Sequence, residues 1–480
     1  MRTTRRQALG FIGVGLASAV LAACSSTSPA ATPAAVAAGA ATATAAPANA
    51  AAAAPTPVPT PAQSTLAAKS GKATIDIWHT YGSGPGRTVI LNMFKEFSDS
   101  TGIGINESYN SSCCDARIQQ KFTAAVAAGT PPDVYDTTSP IVLGGQGALL
   151  PLDDLMKRDN FVLNTTDWYP NPVFYAQWQG KTYGLPYDTD SRGMFWNKAH
   201  FKEAGLDPEK PPKTWSELQD FATKLTKKDG DKITRVGFSP LYGESWNWAY
   251  IGQAGGYPYL DLEQKPAKAR FDTPEAIKAF EYMLTLTDLS GGMTQLSSFQ
   301  QGFQTGVSQP FLSGQVSIMY HGSWYPDQIT QYKPDMKYGV DYGITDQCIA
   351  DEGGKLFCMT GGWFYSIPKG VKHQDEAWQW VHWFDLDPQL LQWNRDTSHI
   401  PTKLSVGKDP SFSKMPINFF VNAMRYAHGW PGGPWTEQPK YTMSNAQDDI
   451  LYKKRTAKDA LTEANSDQQK VIDDYYKSGQ

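Results

Sequence analysis

Thr74-Ile75-Asp76-Ile77-Trp78 alternates apolar and polar side chains, and the run Tyr81 to Gly86 behind it is a glycine-rich turn. The alternation predicts a β-strand, because successive side chains of a strand point to opposite faces. Val89, Ile90, Met93, Phe94 and Phe97 then recur at helical spacing up to Thr101-Gly102, where glycine predicts a stop. Ile103 to Tyr109 reads as a second strand. Ile118, Phe122, Ala125 and Val126 read as a second helix ended by Gly129, and Pro131 to Tyr135 as extended chain again. Strand and helix in alternation predict a largely parallel sheet flanked by helices. Ligands of such sheets lie beyond the carboxyl ends of the strands. The loops to watch are therefore Tyr81-Gly82-Ser83, Asn110 to Asp115 and Asp136 to Ser139.

Working outward, Ser25 to about Gly71 is alanine, proline and threonine with almost no charge and no apolar period. Such a stretch buries too little surface to offset its ordering entropy and is expected to be a disordered leash. Before it, Leu21-Ala22-Ala23-Cys24 closes a short apolar run, Leu9 to Val20, behind Arg2, Arg5 and Arg6. This resembles a bacterial lipobox, so residues 1–23 read as a lipoprotein signal peptide and Cys24 as a lipid-bearing N-terminus. The apolar run is shorter than the ~20 residues of a membrane span. Thr4-Arg5-Arg6-Gln7 looks like a twin-arginine signal, but Ala8 and Gly10 depart from that pattern, and the export route stays open. The anchor is then a surface one, made by the lipid alone. Loss of three arginines takes the formal charge from -4 to -7. A mildly acidic chain gives no footprint for nucleic acid.

A second unit begins near Tyr187. Gly180 to Pro186 predicts a turn feeding a strand, and Gly193 to Trp196 is extended. Thr214-Trp215-Ser216-Glu217 is a capping box for a helix through Leu225. Thr273-Pro274-Glu275 opens another helix with Ile277, Phe280, Met283 and Leu284 on one face, and Glu376 to Val381 continues the helical pattern. Of five cysteines, Cys113, Cys114, Cys348 and Cys358 remain beside Cys24. In an oxidising compartment four thiols allow three pairings. The simplest closes Cys348 to Cys358 and leaves Cys113-Cys114 as a vicinal bond; long-range staples are the alternative. No zinc or thioredoxin-like spacing occurs, so no metal or cofactor is expected.

Aromatic residues make up 12% of the chain, and Trp246, Trp248, Trp324, Trp363, Trp430 and Trp435 sit among glycine, proline, serine and asparagine. Rings beside hydrogen-bonding groups suit a ligand with C–H faces and a hydroxyl rim, which describes a sugar. Core packing explains any single tryptophan equally well. Asp188 and Asp190, two apart, could form a carboxylate pair of the kind glycosidases use. With Thr189, Ser191 and Arg192 they equally make a polar hinge or surface turn. No HExxH, GxSxG or phosphate-loop pattern is present. Nothing in the chain assembles a catalytic constellation.

In order along the chain come Ile75 to His79, Phe97 to Ile105, Ala127 to Val134, Gly147 to Asp153, Gly180 to Pro186, Trp196-Asn197-Lys198, Phe201 to Leu206, Pro212 to Trp215 and Met319 to Trp324. With these, the chain resembles the extracellular solute-binding lipoproteins of carbohydrate ABC importers, the maltose-binding-protein-like group. The resemblance implies a two-lobed α/β periplasmic-binding-protein-like fold that closes on its solute about a hinge. It implies a first lobe of about 73–186 and 361–405, and a second of about 187–360 and 406–480. By similarity the ligand contacts are Tyr81, Ser83, Asn110, Asp136, Asp188, Trp246, Trp248, Trp324, Gly361, Gly362 and Trp363, with Arg425 and Trp435 matching loosely. Cys113-Cys114 departs from the group and would lie at the cleft rim. The expected partners are a mono-, di- or oligosaccharide and the transmembrane subunits of a permease, for a monomer outside the cytoplasm. A sugar phosphate met by Arg425, a surface glycosidase using Asp136, Asp188 or Asp190, and an adhesin or sensor are the alternatives.

Overall fold

The computed structural model describes residues 65–478, apart from 83, 111–115, 304–305, 431 and 436. The signal peptide, Cys24, most of the leash, Ser83, Cys113 and Cys114 lie outside the described residues. Strand Thr74–His79 runs parallel to Gly104–Tyr109 on one side and to Val134–Thr137 on the other. Helix Gly84–Thr101 connects the first two, burying Ile90, Met93, Phe94 and Phe97 completely. Gly102 follows it at φ +79°, a backbone region that only glycine enters without strain.

The resemblance placed 361–405 in this lobe, but an antiparallel strand there and an added edge strand differ from the largely parallel sheet expected. Strand Gly362–Ser366, far along the chain, inserts antiparallel between Val134–Thr137 and Leu185–Thr189. Its alternation is hidden by a continuous apolar run, as befits a strand covered on both faces. In addition, Thr65–Leu66 pairs antiparallel with Ile105 and Asn106 at the sheet edge, so the leash ends before residue 72. Lys69 reinforces that edge through its ammonium on the Asp99 carbonyl at 2.7 Å.

Around this sheet lies one core, including Ile75, Val134, Leu185, Phe364, Trp378, Trp380 and Trp393. The other body centres on an antiparallel sheet in the order Ile318–Gly322, Arg192–Asn197, Tyr342–Thr345. Its core gathers Trp215, Phe280 and Met283, and the C-terminal helices contribute Met443, Leu461 and Ile472. Thr214 caps helix Trp215–Leu225 with Glu217 reciprocating, the capping box read from sequence. Thr273 caps Pro274–Leu289 in the same way through its hydroxyl. Among the described residues no helix is long and apolar enough to cross a membrane.

The chain crosses between the bodies at Thr189–Arg192 and again near Thr360–Gly362. Thr189 binds both other segments there: its hydroxyl donates to the Gly361 carbonyl at 2.7 Å, and its backbone exchanges hydrogen bonds with Ile400. Asp188 and Asp190 flank this crossing but are wholly buried, so a solvated turn is excluded.

The Cys348–Cys358 disulfide is also excluded, since both thiols are free and buried. Cys348 packs in the second body's core, its sulfur 3.3 Å from the Pro212 carbonyl oxygen. Cys358 sits on a separate cluster and approaches the Arg192 carbonyl oxygen at 3.2 Å. Proximity in sequence did not become proximity in space, because the intervening loop sends the two residues to different cores.

Candidate functional site

A cavity of ≈190 Å³ opens between the two bodies. The first body contributes the loop and helix start behind Val134–Thr137, namely Thr138, Ser139, Ile141 and Val142, together with Tyr175. This is the carboxyl end of a parallel strand, where the topology directs a ligand. The crossing contributes Asp190, Arg192 and Met359 to Trp363. The second body contributes Trp246, Asn247 and Trp248 at the start of helix Asn247–Gln253, and the C-terminal region adds Trp430. Gly255 allows that helix to stop abruptly: it sits at φ +89°, and a Cβ there would lie 2.7 Å from the Gly353 carbonyl oxygen.

Four indoles thus meet in one cleft. Trp246 is 48% exposed, Trp363 is half-buried, and Trp248 and Trp430 are buried edge-to-face at 5.6 Å. Beside them lies a buried ionic cluster. Asp190 accepts from the Gly361 N–H at 2.8 Å and from Arg192, and Arg192 reaches Glu244 at 3.4 Å. Burial pushes the Asp190 carboxyl up despite the neighbouring guanidinium. Glu244 is half-buried, and Arg192 and the Trp246 N–H at 2.9 Å hold it below its ordinary value despite that burial. Asp190 Oδ2 and Arg192 Nε have no hydrogen-bond partner among the described residues.

Of the residues expected to touch ligand, Trp246, Trp248, Gly361, Gly362 and Trp363 line this cavity. Trp324 stands one layer behind, under the Arg192 guanidinium at 4.9 Å. The remainder lie elsewhere. Tyr81, Asp136 and Asp188 form a buried network: Tyr187 donates to Asp136 at 2.9 Å, Tyr81 to Asp188 at 3.3 Å, and the Trp393 N–H to Asp188 at 2.8 Å. Burial raises the Asp136 carboxyl to about 7 and Asp188 well above its usual value. Asn110 is buried and accepts from Lys121 at 3.1 Å. Arg425 is exposed over the Tyr426 ring, and Trp435 packs against Trp178 and Tyr475.

The glycosidase pair is not assembled either. Asp188 is engaged inside the first core and Asp190 by Arg192, although they are two residues apart. Sequence reasoning missed Arg192, Tyr175, Asn247, Ile141 and Val142 as lining groups, and left Asp190 and Trp430 uncommitted. The loop rule for parallel sheets pointed at Asp136 to Ser139; only the last of these, with Thr138, reaches the cavity. Among the described residues no cluster of His, Cys, Asp and Glu could hold a metal ion.

Residues 92–420 match the family described as bacterial extracellular solute-binding protein. The chain belongs to that family, whose members bind solutes outside the cytoplasm. It is similar to the maltotriose-binding protein of Pyrococcus abyssi, 25% identical over 408 residues covering 81% of this chain and 79% of that one. It is also similar to the sn-glycerol-3-phosphate-binding periplasmic protein of Agrobacterium fabrum, 27% identical over 306 residues, or 60% of this chain and 64% of that protein. Among solved structures, CpMnBP1 with mannotriose bound superposes at a TM-score of 0.71 with 27% identity, covering 83% of this chain and all of that one.

Proposed function

We propose that the chain captures a neutral sugar between its two lobes and delivers it to the transmembrane subunits of an ABC importer. The observation that carries this reading is the meeting of four indoles with the Asp190–Arg192–Glu244 cluster in one interlobe cavity. The rings offer flat apolar faces to sugar C–H groups, and polar side chains lining the same cavity, Thr138, Asp190, Arg192 and Asn247, offer acceptors and donors to hydroxyls. The saccharides in the names of two relatives, maltotriose and mannotriose, support the same class. Ligand contacts from both lobes offset the cost of holding them together, so closure follows binding. Cys24 would tether the protein by its lipid, with the leash holding the lobes clear of the surface. Cys24→Ser shedding the protein into the soluble fraction would test that anchor.

The glycerol phosphate relative makes an anionic solute the second reading. Local charge argues against it. Among the described lining residues Arg192 is the cation, and it already faces two carboxylates, so the cluster carries a net negative charge and would repel a phosphate. Titrating intrinsic tryptophan fluorescence with neutral mono- to oligosaccharides and with sn-glycerol 3-phosphate separates the two. A saturable change with a neutral sugar is expected. Silence across the sugars together with a response to the phosphate would reverse the assignment.

A further inference from the structure

A second cavity of ≈490 Å³ lies directly against the cleft, and the two share Tyr175 and Trp430 as their common wall. Tyr175 stands on helix Pro170–Ala176 of the first body, and Trp430 follows the short strand Ala427–His428. The Tyr175 hydroxyl donates to the Trp430 carbonyl, so one phenol ring and one hydrogen bond make up this part of the partition. Gly429 is required for that approach, since a Cβ on it would lie 2.3 Å from the Tyr175 ring.

Size decides what the cleft holds. At ≈190 Å³ it falls below the roughly 300–1,000 Å³ usual for small-molecule sites, whereas its neighbour lies inside that range. The lining beyond the partition has the same character as the cleft. Phe174 exposes 39% of its surface, Tyr257 is half-buried, and the hydrogen-bonding side chains Asp261, Glu263 and Arg270 stand around them. Trp430, common to both spaces, also has a buried Nε1 with no partner among the described residues.

We propose that the second cavity continues the binding site and receives the sugar units of an oligosaccharide that extend past Tyr175. The inference rests on the sugar reading above and narrows it to saccharides longer than two units. Isothermal titration of the full chain with maltose, maltotriose and maltotetraose, and with mannobiose, mannotriose and mannotetraose, tests it. For the recognised series, affinity is expected to rise about ten-fold or more from the disaccharide to the tetrasaccharide. Phe174→Ala should weaken the tetrasaccharide about five- to ten-fold and leave the disaccharide unchanged. Arg270→Ala, at an exposed position, provides an independent second variant with the same expected split. A disaccharide bound as tightly as the tetrasaccharide, or variants that leave the tetrasaccharide unaffected, would overturn this inference alone. Silence toward every neutral saccharide in the fluorescence titration above would remove the sugar reading with it.

Discussion

Two aromatic clusters border the crossing strands, and they put similar residues to opposite uses. In the first, Tyr81, Tyr187 and Trp393 turn every hydroxyl and N–H onto Asp136, Asp188 or each other. Their rings close edge-to-face at 4.5 Å for Tyr81 on Trp393 and 5.8 Å for Tyr187 on Trp393. In the second, Trp246, Trp248, Trp363 and Trp430 leave ring surface on an open cavity. Rings closed on one another and on their polar neighbours build a core. Rings that keep a face on open space are prepared for a ligand.

The largest effect expected from this contrast is in the closed cluster. Trp393 is wholly buried, so Trp393→Ala should cost about 3–5 kcal/mol of stability, because it leaves a void and takes a donor from Asp188. Urea denaturation measures it, and a loss below about 1 kcal/mol would show that the cluster is not structural.

Next comes the open cluster. Trp363→Ala should lower sugar affinity about ten- to thirty-fold, while costing less stability than the Trp393 variant. Calorimetric titration beside a melting curve reads both quantities. A variant that binds normally but melts far earlier would move Trp363 into the structural class.

The smallest effect separates the clusters by pH. Buried Asp136 keeps its proton up to about 7 in the folded protein, against 3.8 for an exposed carboxyl. The folded state therefore binds more protons between those values, and stability falls as pH rises through that window. Asp136 contributes fully below pH ~3.8 and its contribution is lost near neutrality. Asp136→Asn should flatten the decline in melting temperature over that range, leaving the slope due to Asp188 and Asp385, which burial also raises. An unchanged slope would show that the carboxyl is ionised in its network.

Much of this was legible from residues in a row. Period-two alternation at Thr74–Trp78, helical spacing from Val89 to Phe97 and the Thr214 capping box are local signals, and each appears where its pattern lies. The aromatic loops were legible as a group, yet their membership in the site was not. Tyr81 and Trp363 look alike as aromatics near glycines, and only the packing of Trp393 against one of them separates a core from a cleft. Arg192 read as part of a polar turn with Asp190, because its second partner Glu244 is fifty-two positions away.

By itself the chain determined its alternation of strands and helices and an excess of loop indoles beside polar groups. These depend on side-chain periodicity and composition, which act over a few residues. Tertiary structure decided that Gly362–Ser366 enters the first sheet, that Cys348 and Cys358 stay apart, and which indoles face one another. Those outcomes depend on contacts between segments more than a hundred residues apart, or on how a loop partitions between two cores. Burial selects among such contacts only once both surfaces exist.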